Sequence, residues 1–231
     1  MPSGSSGSRC HRDSVLEPDV PGVDRPGPVW AGDPRDQRAA IAEDRGAGRD
    51  PFLVVGSAGT TDTGTVDPLP ALAAIAANEG LWLHVDAAYG GFFQLTKRGN
   101  AVLSGIEQAD SISIDPHKGL SVPFGVGALL VRDESHLIDA NQGRGAYLRE
   151  EDHDSGIRDI ASLGPELSRP FRAMQMWLPL HLHGVGPFRE ALDTSLDLAE
   201  HAHQRLLGVD GLEVPWKPDL SVVAFRFEDD A

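Results

Sequence analysis

Three short segments constrain the fold more than anything else in this chain. Residues 52–55 form an apolar run, Leu69, Leu72 and Ile75 recur on one helical face, and 81–85 form a second apolar run. Strand, helix and strand within about 35 residues make a βαβ unit, with parallel strands and a right-handed crossover. Runs this short and apolar suit strands covered on both faces. Residues 111–114 and 125–131 add two further strands. The expectation is an α/β fold with a mostly parallel sheet flanked by helices.

The punctuation supports that order. Asp67 with Pro68 behind it reads as a cap and first position for the Leu69 helix, and Gly80 as its stop. An earlier helix is expected over 37–45, ended by Gly46 and Gly48, and a short helix or turn over 100–108. Residues 166–182 read as an apolar helix that Pro170 and Pro179 kink or interrupt. A second helix over 187–207 carries the stripe Phe188, Leu192, Leu196, Ala199 and Leu206, with Gly208 as stop. Residues 221–227 have strand composition. Residues 139–159 are charged, contain glycines and lack periodicity, which predicts a long loop.

Charge and cysteine content exclude some functions. The formal charge is −15, from 35 acidic and 20 basic residues. A nucleic-acid binder needs a basic face, so phosphate-backbone binding is not expected. No apolar run reaches membrane-spanning length, and no membrane partner is expected. Cys10 is the single cysteine, which leaves no internal disulfide and makes a reducing cytoplasm the default. Residues 1–36 are rich in Gly, Pro, Ser, Asp and Arg, with few large apolar residues, and read as a flexible tail without a secretory signal.

The chemistry sits at two strand ends. Asp86 follows the 81–85 strand, and Asp115-Pro116-His117-Lys118 follows the 111–114 strand. Open α/β sheets bind ligands outside the carboxyl ends of their strands, so an acid and an amine here face one pocket. Pyridoxal phosphate chemistry uses such a pair. The lysine forms an imine with the cofactor aldehyde, and the carboxylate pairs with the pyridinium nitrogen.

The motifs narrow this further. HVDAAYGG at 84–91, DPHKGL with its Lys118 placed 32 positions after Asp86, and GTTDTGTVDP at 59–68 stand in one chain. Together they resemble the group II pyridoxal phosphate-dependent amino-acid decarboxylases, the aromatic-L-amino-acid, glutamate and diaminobutyrate decarboxylase family. The resemblance runs from about residue 37 to the end. It implies a fold type I, aminotransferase-like large domain over 37–175 and the start of a small α+β domain over 176–231. It also implies pyridoxal 5'-phosphate as cofactor, an amino acid as substrate and a homodimer. Relatives have folded sequence before this region, carrying a phosphate loop and a ring-stacking residue. Neither is recognisable in 1–36, which suggests a truncated or frame-disrupted product.

The resemblance assigns roles residue by residue. Lys118 is the imine lysine, where a surface lysine could otherwise merely extend to solvent. Asp86 is the pyridinium partner, expected to be shielded at the sheet end, and Ala88 is the small residue packed close to the ring. Thr61 matches a cofactor-side threonine, or stabilises its turn. Asp115 accepts a hydrogen bond near the lysine, or caps the turn. His117 resembles a phosphate-contacting histidine, against a structural role. Tyr147, in AYLREEDHDSG, matches the mobile-loop tyrosine that protonates the substrate carbon after decarboxylation, or is a packing anchor. His181 and His183, like His201 and His203, stand two apart, a spacing that does not share a helix face. They read as helix-face histidines, and no metal is expected. There is no Gly-x-Ser-x-Gly elbow and no Gly-x-Gly-x-x-Gly fingerprint.

Two readings remain from different classes. One is an amino-acid decarboxylase working through Lys118, with an aminotransferase-like reaction on the same cofactor as the nearest enzymatic alternative. The other is a fragment that keeps part of the fold and binds cofactor weakly or not at all.

Overall fold

Alternation along the second strand explains how the sheet is seated. Leu83 and Val85 are almost wholly buried, while Trp82 and His84 are half-buried and Asp86 is exposed. Side chains of a strand alternate between faces, so one face meets the core and the other carries the polar groups. The computed structural model describes residues 33–141, 160–166 and 168–227.

The elements in chain order are α1 (Pro34–Gly46), β1 (Leu53–Ser57), α2 (Leu69–Glu79), β2 (Trp82–Asp86), α3 (Lys97–Val102) and β3 (Ser111–Ile114). They continue with α4 (Pro116–Gly119), β4 (Ala128–Val131), α5 (Ser135–Asn141), α6 (Ala173–His183), α7 (Gly186–Leu206), β5 (Leu212–Glu213) and β6 (Arg226–Phe227). A four-stranded sheet runs β1-β2-β3-β4. β1, β2 and β3 are parallel, and β4 closes the order antiparallel to β3. β5 and β6 pair antiparallel as a separate ribbon.

Register sorts the side chains. Ser57, Asp86 and Ser113 stand in one row across β1, β2 and β3, with Val55, His84 and Ser111 in the row before it. The opposite face packs on α2, whose Leu69, Leu72 and Ile75 are almost fully buried, as the helical stripe predicts. A Cβ on Gly56 would lie 2.9 Å from Leu72 Cδ1, so a side chain there would wedge α2 away from β1. Gly80 ends α2 at φ 68°, the left-handed conformation that a glycine adopts without strain.

Several expectations are corrected. Asp67 is not the N-cap residue of α2, which begins at Leu69 with Pro68 as its cap. Its Oδ2 accepts the Ser57 N–H at 2.7 Å, which ties the end of β1 to the start of α2 and leaves Asp67 only 3% exposed. α1 begins at Pro34, because Asp33 accepts the Arg35 N–H and proline suits the first helical position. The 139–159 loop does not begin at 139, since Asp139 to Asn141 belong to α5, and 142–159 lie outside the described residues. α6 starts at Ala173, beyond Pro170, and runs through Pro179, which lacks an N–H for the Gln175 carbonyl. Of 221–227 only Arg226 and Phe227 pair as strand. His203 is not an open helix-face residue, because it lies on the buried stripe of α7.

Candidate active site

Two strand ends build the site. β2 finishes on Asp86, and the chain turns through Ala87 and Ala88. β3 finishes at Ile114, and Asp115 opens the single turn α4 that carries His117 and Lys118. Backbone bonds stitch the two turns together. The Ala87 N–H donates to the Ser113 carbonyl at 3.0 Å, and the Asp115 N–H to the Ala88 carbonyl at 3.2 Å. The acid and the lysine therefore stand at the carboxyl ends of neighbouring parallel strands of one sheet.

Asp86 is held on one oxygen. Its Oδ1 accepts the Ala88 N–H at 3.1 Å and the Ser113 hydroxyl at 3.0 Å. The side chain is exposed, which corrects the expectation of a shielded carboxylate. The polar face of the sheet is open around it, with Val55 38% and Leu129 54% exposed. Sequence reading overlooked Ser113. Its signal was the period-two alternation, which puts Ser113 beside Asp86 once the two strands are parallel.

Asp115 divides its labour. Its carbonyl accepts the Lys118 and Gly119 N–H groups at 2.9 and 3.2 Å, so the backbone closes the turn. Its side chain makes no capping bond and instead pairs with Lys118 Nζ at 3.1 Å. Lys118 is about half exposed. His117 Nδ1 lies 2.7 Å from the Val126 carbonyl. A carbonyl only accepts, so Nδ1 carries the proton. His117 Nε2 is 3.9 Å from Asp115 Oδ2, and the ring meets Phe124 edge-on at 5.1 Å. Two tight contacts fix the turn: a Cβ on Gly119 would lie 2.5 Å from Phe92 Cβ, and one on Gly127 3.1 Å from Asp115 Oδ1. Ser121, just beyond, holds φ 53°, a costly conformation for a residue with a side chain.

Thr61 lies at the tip of the loop after β1, exposed and without a hydrogen bond among the described residues. The turn is stabilised by its neighbours instead. Thr60 and Thr63 hydroxyls stand 2.7 Å apart, Thr63 and Thr65 2.8 Å, and Thr60 Oγ1 accepts the Thr65 N–H at 3.1 Å. Ala88 is half-buried between the Asp86 and Asp115 bonds. Tyr147 falls outside the described residues. Behind Asp86, Ser111 Oγ receives the Trp82 indole N–H at 2.8 Å and lies 2.8 Å from His84 Nδ1. Burial pushes His84 below its ordinary value, opposed by the Asp86 charge.

The arrangement fits pyridoxal phosphate by its donor set. It offers an accessible primary amine, and a carboxylate whose second oxygen is open to a protonated ring nitrogen. A histidine Nε2 is left over beside the lysine turn. Among the described residues no group of three His, Cys, Asp or Glu is placed to hold a metal. No described helix is long and apolar enough to cross a membrane.

Comparison with known proteins agrees. Residues 32–228 match the pyridoxal-dependent decarboxylase conserved domain, and the chain belongs to that family. The aromatic-L-amino-acid decarboxylase of Bacillus atrophaeus is 39% identical over 188 residues, 81% of this chain and 39% of the relative. The aromatic-L-amino-acid decarboxylase of Bos taurus is 36% identical over 191 residues, 82% of this chain and 39% of the relative. Among solved structures, Oryza sativa TDC with PLP and tryptamine aligns with TM-score 0.79 at 31% identity, covering 86% of this chain and 41% of that one. Catharanthus roseus tryptophan decarboxylase with L-tryptophan aligns with TM-score 0.78 at 28% identity, covering 89% and 44%. The fold is thus the fold type I architecture of these enzymes. The chain spans about two fifths of the length of the curated relatives it matches.

Proposed function

We propose that this chain carries the cofactor-anchoring half of a pyridoxal phosphate-dependent amino-acid decarboxylase, with an aromatic L-amino acid as substrate. The observation that supports it most is the stitching of Asp86 and Lys118 onto adjacent strand ends, acid and amine both accessible. The relatives named for aromatic amino acids supply the substrate class. When bound, the cofactor supplies an electron sink for the pair left as carbon dioxide departs.

The chain's own residues do the rest. Lys118 Nζ would be the covalent anchor of the cofactor, and Asp115 pairs with that amine at 3.1 Å. Asp86 would keep the ring nitrogen protonated through its open oxygen, while Ser113 and the Ala88 N–H fix the other oxygen. His117, oriented by the Val126 carbonyl, would offer Nε2 to the phosphate. Thr61 and Ala88 line the cofactor side. Tyr147 delivers a proton to the substrate α-carbon, since a phenol stays protonated at neutral pH. The reading also includes a cytoplasmic homodimer, supported by the single cysteine and by exposed Trp177, Leu178 and Leu182 on α6. Residues 37–175, part of a large cofactor-binding domain, and 176–231, the start of a small C-terminal domain, are the two domains of the reading.

Borohydride reduction of the cofactor-loaded protein, then peptide mapping, is the test. Label on Lys118 and carbon dioxide release from an aromatic amino acid are expected. Label on another lysine ends the assignment. The weak-binding reading draws on one observation, the exposure of Asp86, because a carboxylate open to water attracts a cation only modestly. A submicromolar dissociation constant for the cofactor would remove it.

A further inference from the structure

A short segment near the end of the chain lies across two loops distant in sequence. Tyr89 Oη and Ser221 Oγ stand 2.5 Å apart, and the Ser221 N–H donates to the same Oη at 3.1 Å. One residue pair away, Asp219 Oδ2 accepts the Val66 N–H at 3.0 Å. Between these ties Leu220 is only 2% exposed.

The seat is cut for it. A Cβ on Gly90 would come within 2.8 Å of Leu220 Cδ1, and one on Gly59 within 3.1 Å. A Cβ on Gly64 would lie 2.8 Å from Val222 Cβ. Gly59 and Gly64 also hold φ of +104° and +66°, which glycine adopts most easily. Gly59, Gly64 and Gly90 therefore leave room for Leu220 and Val222 beside the Tyr89 side chain.

Their location gives the contact its meaning. One loop runs from β1 to Val66 and carries Thr61. The other leaves β2 through Asp86 and Ala88 to Tyr89 and Gly90. Each stands at the carboxyl end of a parallel strand, where the site lies. The Thr61 loop has its own chain of threonine hydroxyls, and its attachments to the sheet include the Ala58 N–H bond to the Asp86 carbonyl at 2.7 Å. Its outer edge is held from the far end of the chain.

We propose that residues 219–222 are a positioning strap, with Tyr89 as its anchor, that clamps the Thr61 loop against the Asp86–Ala88 turn. What the clamped face binds rests on the function proposed above; the clamp itself does not. Tyr89 touches no reacting atom in this assignment and acts through Ser221. Burial raises the Tyr89 pKa, against the lowering effect of its Ser221 bonds, so the phenol keeps its proton at neutral pH. The strap makes the readiness of the cofactor face depend on residues 219–222.

The test compares the full chain with Tyr89→Phe, which keeps the ring edge-on to Phe93 at 5.7 Å and removes only the oxygen. Amide hydrogen exchange is followed by peptide in the absence of cofactor. Exchange in 59–66 and 219–222 is expected to quicken by about threefold or more, with α2 and β2 peptides unchanged. Asp219→Asn, which weakens the second tie, is expected to act on 59–66 in the same direction. Should Tyr89→Phe fail to fold, Ser221→Ala and Asp219→Asn decide the matter by the same readout. Unchanged exchange in 59–66, or uniform acceleration over all peptides, overturns the proposal. A separate titration with pyridoxal phosphate should show weaker binding in Tyr89→Phe. If the unaltered chain binds none, the functional reading falls while the exchange result still decides the strap.

Discussion

The Ser113 hydroxyl donates to Asp86 Oδ1 at 3.0 Å, across the β2–β3 pair and from the row of side chains that Ser57 begins. The bond fixes one carboxylate oxygen and leaves the other for the ligand. Hydrogen bonds to charged groups are worth about 1.5–3 kcal/mol when buried, and less at an exposed site. Ser113→Ala should therefore weaken cofactor binding by roughly fivefold, about 1 kcal/mol. Absorbance titration with pyridoxal phosphate checks it. An unaltered dissociation constant would separate Ser113 from the function of Asp86.

Gly119 tests the lysine turn by crowding it. A Cβ there would lie 2.5 Å from Phe92 Cβ, with other Phe92 ring atoms at 2.9 Å. Overpacking of this kind costs about 1–3 kcal/mol. Gly119→Ala is expected to lower the unfolding free energy by that amount, read as a lower urea midpoint, and to displace Lys118. Reduced borohydride labelling of Lys118 alongside the stability loss is the combined signature.

His84 predicts a pH response. Burial lowers its pKa from an ordinary value of 6.5. The unfolded chain then binds more protons than the folded one between 6.5 and the lowered value, so stability falls as pH drops through that window and is retained above it. His84→Gln should flatten that part of the profile. Urea midpoints at about pH 7.5 and about pH 5.5 measure it, and equal slopes for both proteins would remove His84 as the source.

Tyr147→Phe keeps the bulk of the loop side chain and removes its proton. The expected outcome, in a length of chain that turns over substrate, is loss of amine formation far exceeding any change in substrate binding. Carbon dioxide release persists, with aldehyde appearing where oxygen intercepts the reaction. Amine, aldehyde and carbon dioxide are measured together on one substrate. Unchanged amine turnover takes Tyr147 out of the mechanism.

Much of the fold was legible because it rests on local periodicity. The 81–85 run, the Leu69–Leu72–Ile75 stripe and Gly80 each declare a strand, a buried face and a stop within a few residues. The positions of Asp86 and Lys118 were legible for the same reason, since one ends β2 and the other lies in the turn just after β3. What the sequence could not disclose was long-range pairing. Asp67 looks like a helix cap until β1 brings the Ser57 N–H to it. The exposure of Asp86 depends on what covers the sheet, which no local pattern encodes. Residues 221–227 have strand composition, yet Ser221 and Val222 are used against Tyr89 and Gly64 rather than in a ladder. His203 looks like its surface neighbours, and only the rotation of α7 turns it inward.

The bonds between Ala87 and Ser113 and between Asp115 and Ala88 join the two backbone segments that carry Asp86 and Lys118. The spacing of those two backbone segments is then set by sheet geometry. Movement of the C-terminal helices is expected to change how long a ligand stays without parting these strand ends. Substitutions in α6 or α7 should shift affinity while leaving the absorption maximum of the bound chromophore in place. The wavelength reports on the sheet, and the occupancy reports on everything around it.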